Sequence, residues 1–96
     1  MSIISDFVVE LIRATNQVHL VTPFERRRLI ARGLGTIADL RHSLDERGVV
    51  TTMSSRILKE VATLLDEPDD TPAEIFGVAL MVLADEINKL SKLAAP

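Results

Sequence analysis

Thr71-Pro72-Ala73-Glu74, followed by the unbroken apolar run Ile75-Phe76-Gly77-Val78-Ala79-Leu80-Met81-Val82-Leu83-Ala84, is the stretch on which the fold of this chain turns. The first four residues form a helix-start signature. A threonine cap is followed by proline at the first helical position, where a missing N–H costs nothing, and by a glutamate that can close a capping box. The next ten residues are apolar on nearly every side of the helix they open. A surface helix needs only a stripe of apolar residues, so this one has to be covered on most of its circumference. Two faces can be read within it. Phe76, Leu80, Leu83, Ile87, Leu90 and Ala94 form a heptad-like seam, and Ile75, Val78, Ala79 and Val82 form a second apolar face. One seam suffices to join the chain's own core; the second is the expected contact for another helix or a partner. Ile75, Val78, Ala79 and Val82 are therefore candidate partner-binding residues.

Working outward, the same launch motif occurs earlier, at Thr22-Pro23-Phe24-Glu25. It opens a second helix whose stripe continues through Leu29, Ile30, Leu34, Ile37, Leu40 and Leu44, with Gly48 as the natural terminator. Gly33 and Gly35 interrupt this helix, each costing about 1 kcal/mol relative to alanine. The stripe keeps its phase across them, so the sequence favours a continuous helix in which glycine lets a neighbour approach, over a break at Gly33–Gly35. A first helix runs from near Asp6 to near Val18, with Ser5 as its expected cap and Ile4, Phe7, Val8, Leu11 and Ile12 on one stripe. A third, capped by Ser54 or Ser55, carries Ile57, Leu58, Val61, Leu64 and Leu65. Val49–Met53 and Asp66–Asp70 read as connecting loops, the latter too short and too interrupted by proline for a calcium loop. The expected fold is all-α: a single domain over residues 1–96, built as a small four-helix bundle of two antiparallel αα-hairpins, with the last helix the most buried.

Composition agrees with that class. Ninety-six residues make one domain, 47% hydrophobic, with three Phe as the only aromatics and four Gly and four Pro, too few for a turn-rich β domain. No cysteine is present, which removes disulfides, zinc–thiolate sites and thiol catalysis. Small secreted domains usually depend on such staples, and the N-terminus lacks the basic start and apolar run of a signal peptide, so a cytoplasmic home is expected. The apolar run is half the length of a membrane span. Eight Arg against three Lys is the balance expected of a GC-rich bacterial genome.

Nothing in the sequence has the spacing of a catalytic, metal or cofactor site. The two histidines, His19 and His42, fall in different segments, and no H-x-x-x-H or E-x-x-H pair exists. The chain is read as a non-enzyme that works by contact, without metal or cofactor. Its net charge of −3 hides a basic middle and an acidic end: residues 11–59 carry nine basic and four acidic side chains, residues 60–96 two basic and eight acidic. Arg26-Arg27-Arg28, with Arg32 one turn on, is the densest cluster and a candidate partner-binding patch for an acidic surface. It also supports the competing reading of a small nucleic-acid-binding protein. Arg32-Gly33-Leu34-Gly35-Thr36-Ile37-Ala38-Asp39-Leu40 resembles, over nine residues, the G-h-G turn of helix-hairpin-helix modules, whose backbone amides hold phosphates. This chain departs from that pattern at Asp39, an acid where phosphate would lie, and the face beyond it mixes Asp39, Arg41, His42 and Asp45. Nucleic acid is accordingly the runner-up. The leading expectation is a small protein–protein interaction module, regulatory in the manner of an adaptor or antiactivator, engaging a protein partner or a second copy of itself.

Overall fold

The computed structural model describes residues 3–48, 55–64 and 72–94. Within them the chain is all-α, with four helices packing on one another and no strand. Helix α1 spans Ile3–Asn16, α2 Pro23–Glu46, α3 Ser55–Thr63 and α4 Ala73–Ala94, and a short 3-10 turn at Val18–Leu20 links α1 to α2.

Local chemistry accounts for the boundaries. Thr22 caps α2 in extended backbone, its hydroxyl accepting from the Glu25 N–H at 3.2 Å with Pro23 at the first helical position. At the other end Gly48 takes φ +77°, a left-handed conformation that glycine adopts without the clash a Cβ would bring. Helix α4 starts one residue later than its T-P-x-E sequence implies, because the first intrahelical bond runs from the Phe76 N–H to the Pro72 carbonyl at 3.0 Å. Thr71 lies outside the described residues, as do Ser54, Val49–Met53 and Asp66–Asp70. Ser5 is not a cap: α1 already begins at Ile3, so Ser5 lies inside its first turn. The far end of α1 stops at Asn16, and Val18 reaches the core from the 3-10 turn instead.

Helix α4 is the centre of the assembly. It packs along both α1 and α2, while α3 rests chiefly on α2. Phe76, Leu80, Leu83, Ile87 and Leu90 are all sealed from solvent, so the heptad-like seam is the core side of this helix. From α2 come Leu29, Ile30, Ile37, Leu40 and Leu44, and from α1 Phe7 and Leu11. Burying side chains of this size contributes about 1.5–3 kcal/mol each. These contacts do not draw two self-contained hairpins. Among the described residues the principal helix pairs are α1 with α4, α2 with α4 and α2 with α3, because the most apolar helix takes the two longest neighbours along its length.

Helix α2 is continuous through both glycines, and Gly33 gives the reason. A Cβ at Gly33 would stand 2.8 Å from Leu83 Cδ1, so the bare backbone is what lets α2 and α4 close on each other. Helices α2 and α4 run parallel: Arg26 lies over Phe76, Gly33 against Leu83, and Arg47 Nη1 donates to the Ala94 carbonyl at 2.9 Å. A Cβ at Gly35 would meet nothing within 4 Å among the described residues, so no packing contact calls for glycine there. Helix α1 runs the other way, bringing Thr15 and Val18 to 4.0 and 3.9 Å from where a Gly77 Cβ would be. The molecule is a flattened body with Cα extents of 39 × 30 × 17 Å. Helix α4 nevertheless keeps one side open, where Ile75, Val78 and Met81 are exposed.

Candidate partner-binding surface

The open side of α4 is apolar. Val78 is 65% exposed, Ile75 55% and Met81 45%, with Val82 half-buried beside them. Alternation of the two faces along the helix produces this arrangement. Each turn that sends Leu80 or Leu83 inward sends Val78 or Met81 outward. Facing them across a shallow cleft is the outer edge of α1, including Ile12, which is 42% exposed and so lies off the core stripe assigned to it from sequence. The cleft consists of two connected grooves. One, of about 560 Å³, runs between Thr15 and Val18 on one side and Val78, Met81 and Val82 on the other, with Gly77 as its floor. The other, of about 110 Å³, continues it along Val8, Ile12 and Met81. Gly77 lines the first groove with backbone alone.

Of the four residues assigned to the second apolar face, Ile75 and Val78 are exposed, Val82 is half-buried and Ala79 is buried against the core. Ala79 thus packs the chain's own interior. Met81, which the sequence places on neither face, and Ile12, which it places on the core stripe of α1, join the surface. The signal for Met81 was present: it stands three residues after Val78 and so shares its side of the helix.

The arginine cluster has a different character. Arg28 and Arg32 both reach back to Glu10 of α1, at 3.6 and 3.3 Å, and Arg28 also approaches Glu25 at 3.6 Å. Arg32 Nη1 spans both carboxylate oxygens of Glu10, and its guanidinium lies 4.4 Å from the centre of the Phe7 ring. Arg26 Nε donates to the Val21 carbonyl at 3.2 Å, and its guanidinium lies 5.2 Å from the Phe76 ring centre. Three of the four arginines are therefore occupied in tying α2 to α1 and to the start of α4. Arg27 alone of the four points to solvent with no ion pair among the described residues. The backbone amides of Gly33–Gly35 offer no phosphate cradle, since the helix is unbroken there and Thr36 Oγ1 bonds back to the Arg32 carbonyl at 2.8 Å.

A second, smaller apolar corner sits where the 3-10 turn meets α2. Leu20 and Phe24 are each about three-quarters exposed there, beside a groove bordered by Arg13, Gln17 and Glu25. Among the described residues no group of three His, Asp or Glu side chains stands close enough to hold a metal ion, and no helix is long and apolar enough to cross a membrane. Compared with protein-family models, with curated proteins and with solved structures, the chain matches none.

Proposed function

We propose that this protein is a small protein–protein interaction module whose working surface is the apolar strip formed by Ile75, Val78, Met81 and Val82 of α4 with Ile12 of α1. The observation that carries this reading is the exposure of Val78, Met81 and Ile12 in the cleft between α1 and α4, with Ile75 exposed on the same helix as Val78 and Met81. Contiguous apolar surface on a small globular protein is uncommon and generally marks a contact site. A chain of this size has little apolar surface to spare from its core, so leaving so much of its most hydrophobic helix uncovered is a cost that a binding role offsets. A regulatory role fits the same features: such a module acts by occupying or masking a surface on another protein, and it needs no reactive group to do so.

The nucleic-acid reading finds less support. Affinity for a polyanion comes from cations free to neutralise phosphates. Here Arg28 and Arg32 are paired with Glu10, and Arg26 is bonded to Val21 and set against Phe76.

Affinity capture with a tagged protein tests the contact reading. Wild type should retain its partner, Val78→Glu should lose it, and Arg27→Glu should keep it, with all three equally helical by circular dichroism. Retention by Val78→Glu together with loss by Arg27→Glu would move the contact to the basic edge of α2.

A further inference from the structure

The exposed side of α4 has an order of charge along it, and that order bears on what covers the strip. From the start of the helix to its end the exposed residues include Glu74, Val78, Met81, Asp85, Lys89 and Lys92. The acid Glu74 stands at one end, the two lysines at the other, and the apolar residues lie between. With a rise of 1.5 Å per residue, Glu74 and Lys89 are about 22 Å apart, and the Met81–Val82 pair lies midway between them.

We propose that a second copy of this chain covers this face, the two α4 helices lying antiparallel about a two-fold axis at Met81 and Val82. The inference rests on reading the α4 strip as a contact surface, and it names the occupant. An antiparallel pair places Glu74 of each copy beside Lys89 and Lys92 of the other. Both ends of the interface then carry an ion pair, while Met81 and Val82 meet their own counterparts at the centre. A parallel pair would set Glu74 on Glu74 and the lysines on lysines, repelling at both ends. Asp85 falls one turn before Lys89 on the same helix, at the spacing where acid and base attract, so it is compensated within each copy. Antiparallel packing also sets the positive end of each helix dipole against the negative end of the other. The contact is isologous and closes on itself, giving a dimer and not a filament.

The absence of cysteine makes the geometry directly testable in this chain. Residues on the axis approach their own counterparts closely enough for a disulfide, whereas Ile75 in an antiparallel pair stands about 20 Å from the second copy's Ile75, beyond any disulfide's reach. Under mild oxidation Met81→Cys should convert to a covalent dimer. Ile75→Cys alone should not, but Ile75→Cys mixed with Asn88→Cys should give the heterodimer. Charge supplies a second readout. Glu74→Lys turns two symmetry-related attractions into repulsions and should weaken dimerisation about tenfold, and adding Lys89→Glu to the same chain should restore it. All these positions are exposed, so the variants should retain wild-type helicity. Ile75→Cys cross-linking to itself as readily as Met81→Cys would overturn the antiparallel arrangement. Absence of any cross-link, with a wild type that stays monomeric, would overturn the second copy as occupant. A foreign partner, detected independently by the loss of capture in Val78→Glu, would then hold the surface.

Discussion

Gly33 of α2 lies so close to Leu83 of α4 that a Cβ at the glycine would come within 2.8 Å of Leu83 Cδ1. Leu83 is sealed in the core and has little room to retreat. The pair sets how nearly the two long helices approach. It also separates two glycines that look alike in sequence. Replacing either with alanine favours the helix by about 1 kcal/mol. At Gly35 nothing opposes that gain, so Gly35→Ala should raise the melting temperature. At Gly33 the displaced leucine costs about 1–3 kcal/mol, so Gly33→Ala should be less stable than Gly35→Ala by that amount in urea titrations. Equal stability of the two variants would mean that the helices are not in contact at Gly33.

The capping interaction at Thr22 is local and exposed, with one hydroxyl accepting the Glu25 N–H. Thr22→Ala should lose about 1 kcal/mol by denaturant titration, and Thr22→Ser should retain most of it.

The Glu10 carboxylate is shared by Arg28 and Arg32, all three groups being roughly half-exposed. Exposed pairs contribute about 0–1 kcal/mol, so Glu10→Gln should destabilise by no more than that, and by less as salt is raised. The same substitution removes the Glu10 charge from both guanidinium groups and leaves Arg28 only its contact with Glu25. Fluorescence anisotropy with labelled duplex DNA should show no binding at about 150 mM salt for wild type, and more binding for Glu10→Gln than for wild type at low salt. Tight wild-type binding at about 150 mM salt would revive the nucleic-acid reading.

How far these features could be read from sequence depends on the range of the interaction behind them. Periodicity is local, and it placed Phe76, Leu80, Leu83, Ile87 and Leu90, together with Leu29, Ile30, Ile37 and Leu44, on their buried sides. The preserved phase across Gly33 and Gly35 likewise indicated an unbroken α2. Pairing is not local, and the two antiparallel hairpins expected from sequence are not drawn by the contacts. Nothing local says that α4 lies between α1 and α2, and that placement decides which side of α4 stays uncovered. It is why Ala79, apparently part of the outer face, is buried, and why Ile12, apparently on a core stripe, is exposed. The contacts of the arginines were hidden for the same reason. Their partner Glu10 lies a helix away, although its isolation as an acid between apolar neighbours in α1 was a usable hint. At Ser5 the local signal itself failed, since α1 already runs from Ile3.

Substitutions on the two sides of α4 should separate folding from association. Leu83→Ala and Phe76→Ala remove fully buried side chains and should cost about 2–5 kcal/mol, a large part of the stability of a domain this small. Met81→Ala, on the open side, should change the unfolding midpoint little at concentrations where the chain is monomeric. Comparable losses on both sides would show that the outer face is covered by the chain itself.

Sedimentation velocity of wild type and Val78→Glu across a wide concentration range bears most directly on the outer face of α4 as the contact surface. Wild type, with a chain mass of 10.6 kDa, should shift toward twice that mass as concentration rises. Val78→Glu should keep its helical content and remain monomeric throughout, since a charge at the most exposed apolar position of the strip would have to be desolvated on contact. A folded Val78→Glu that associates as strongly as wild type would contradict the account.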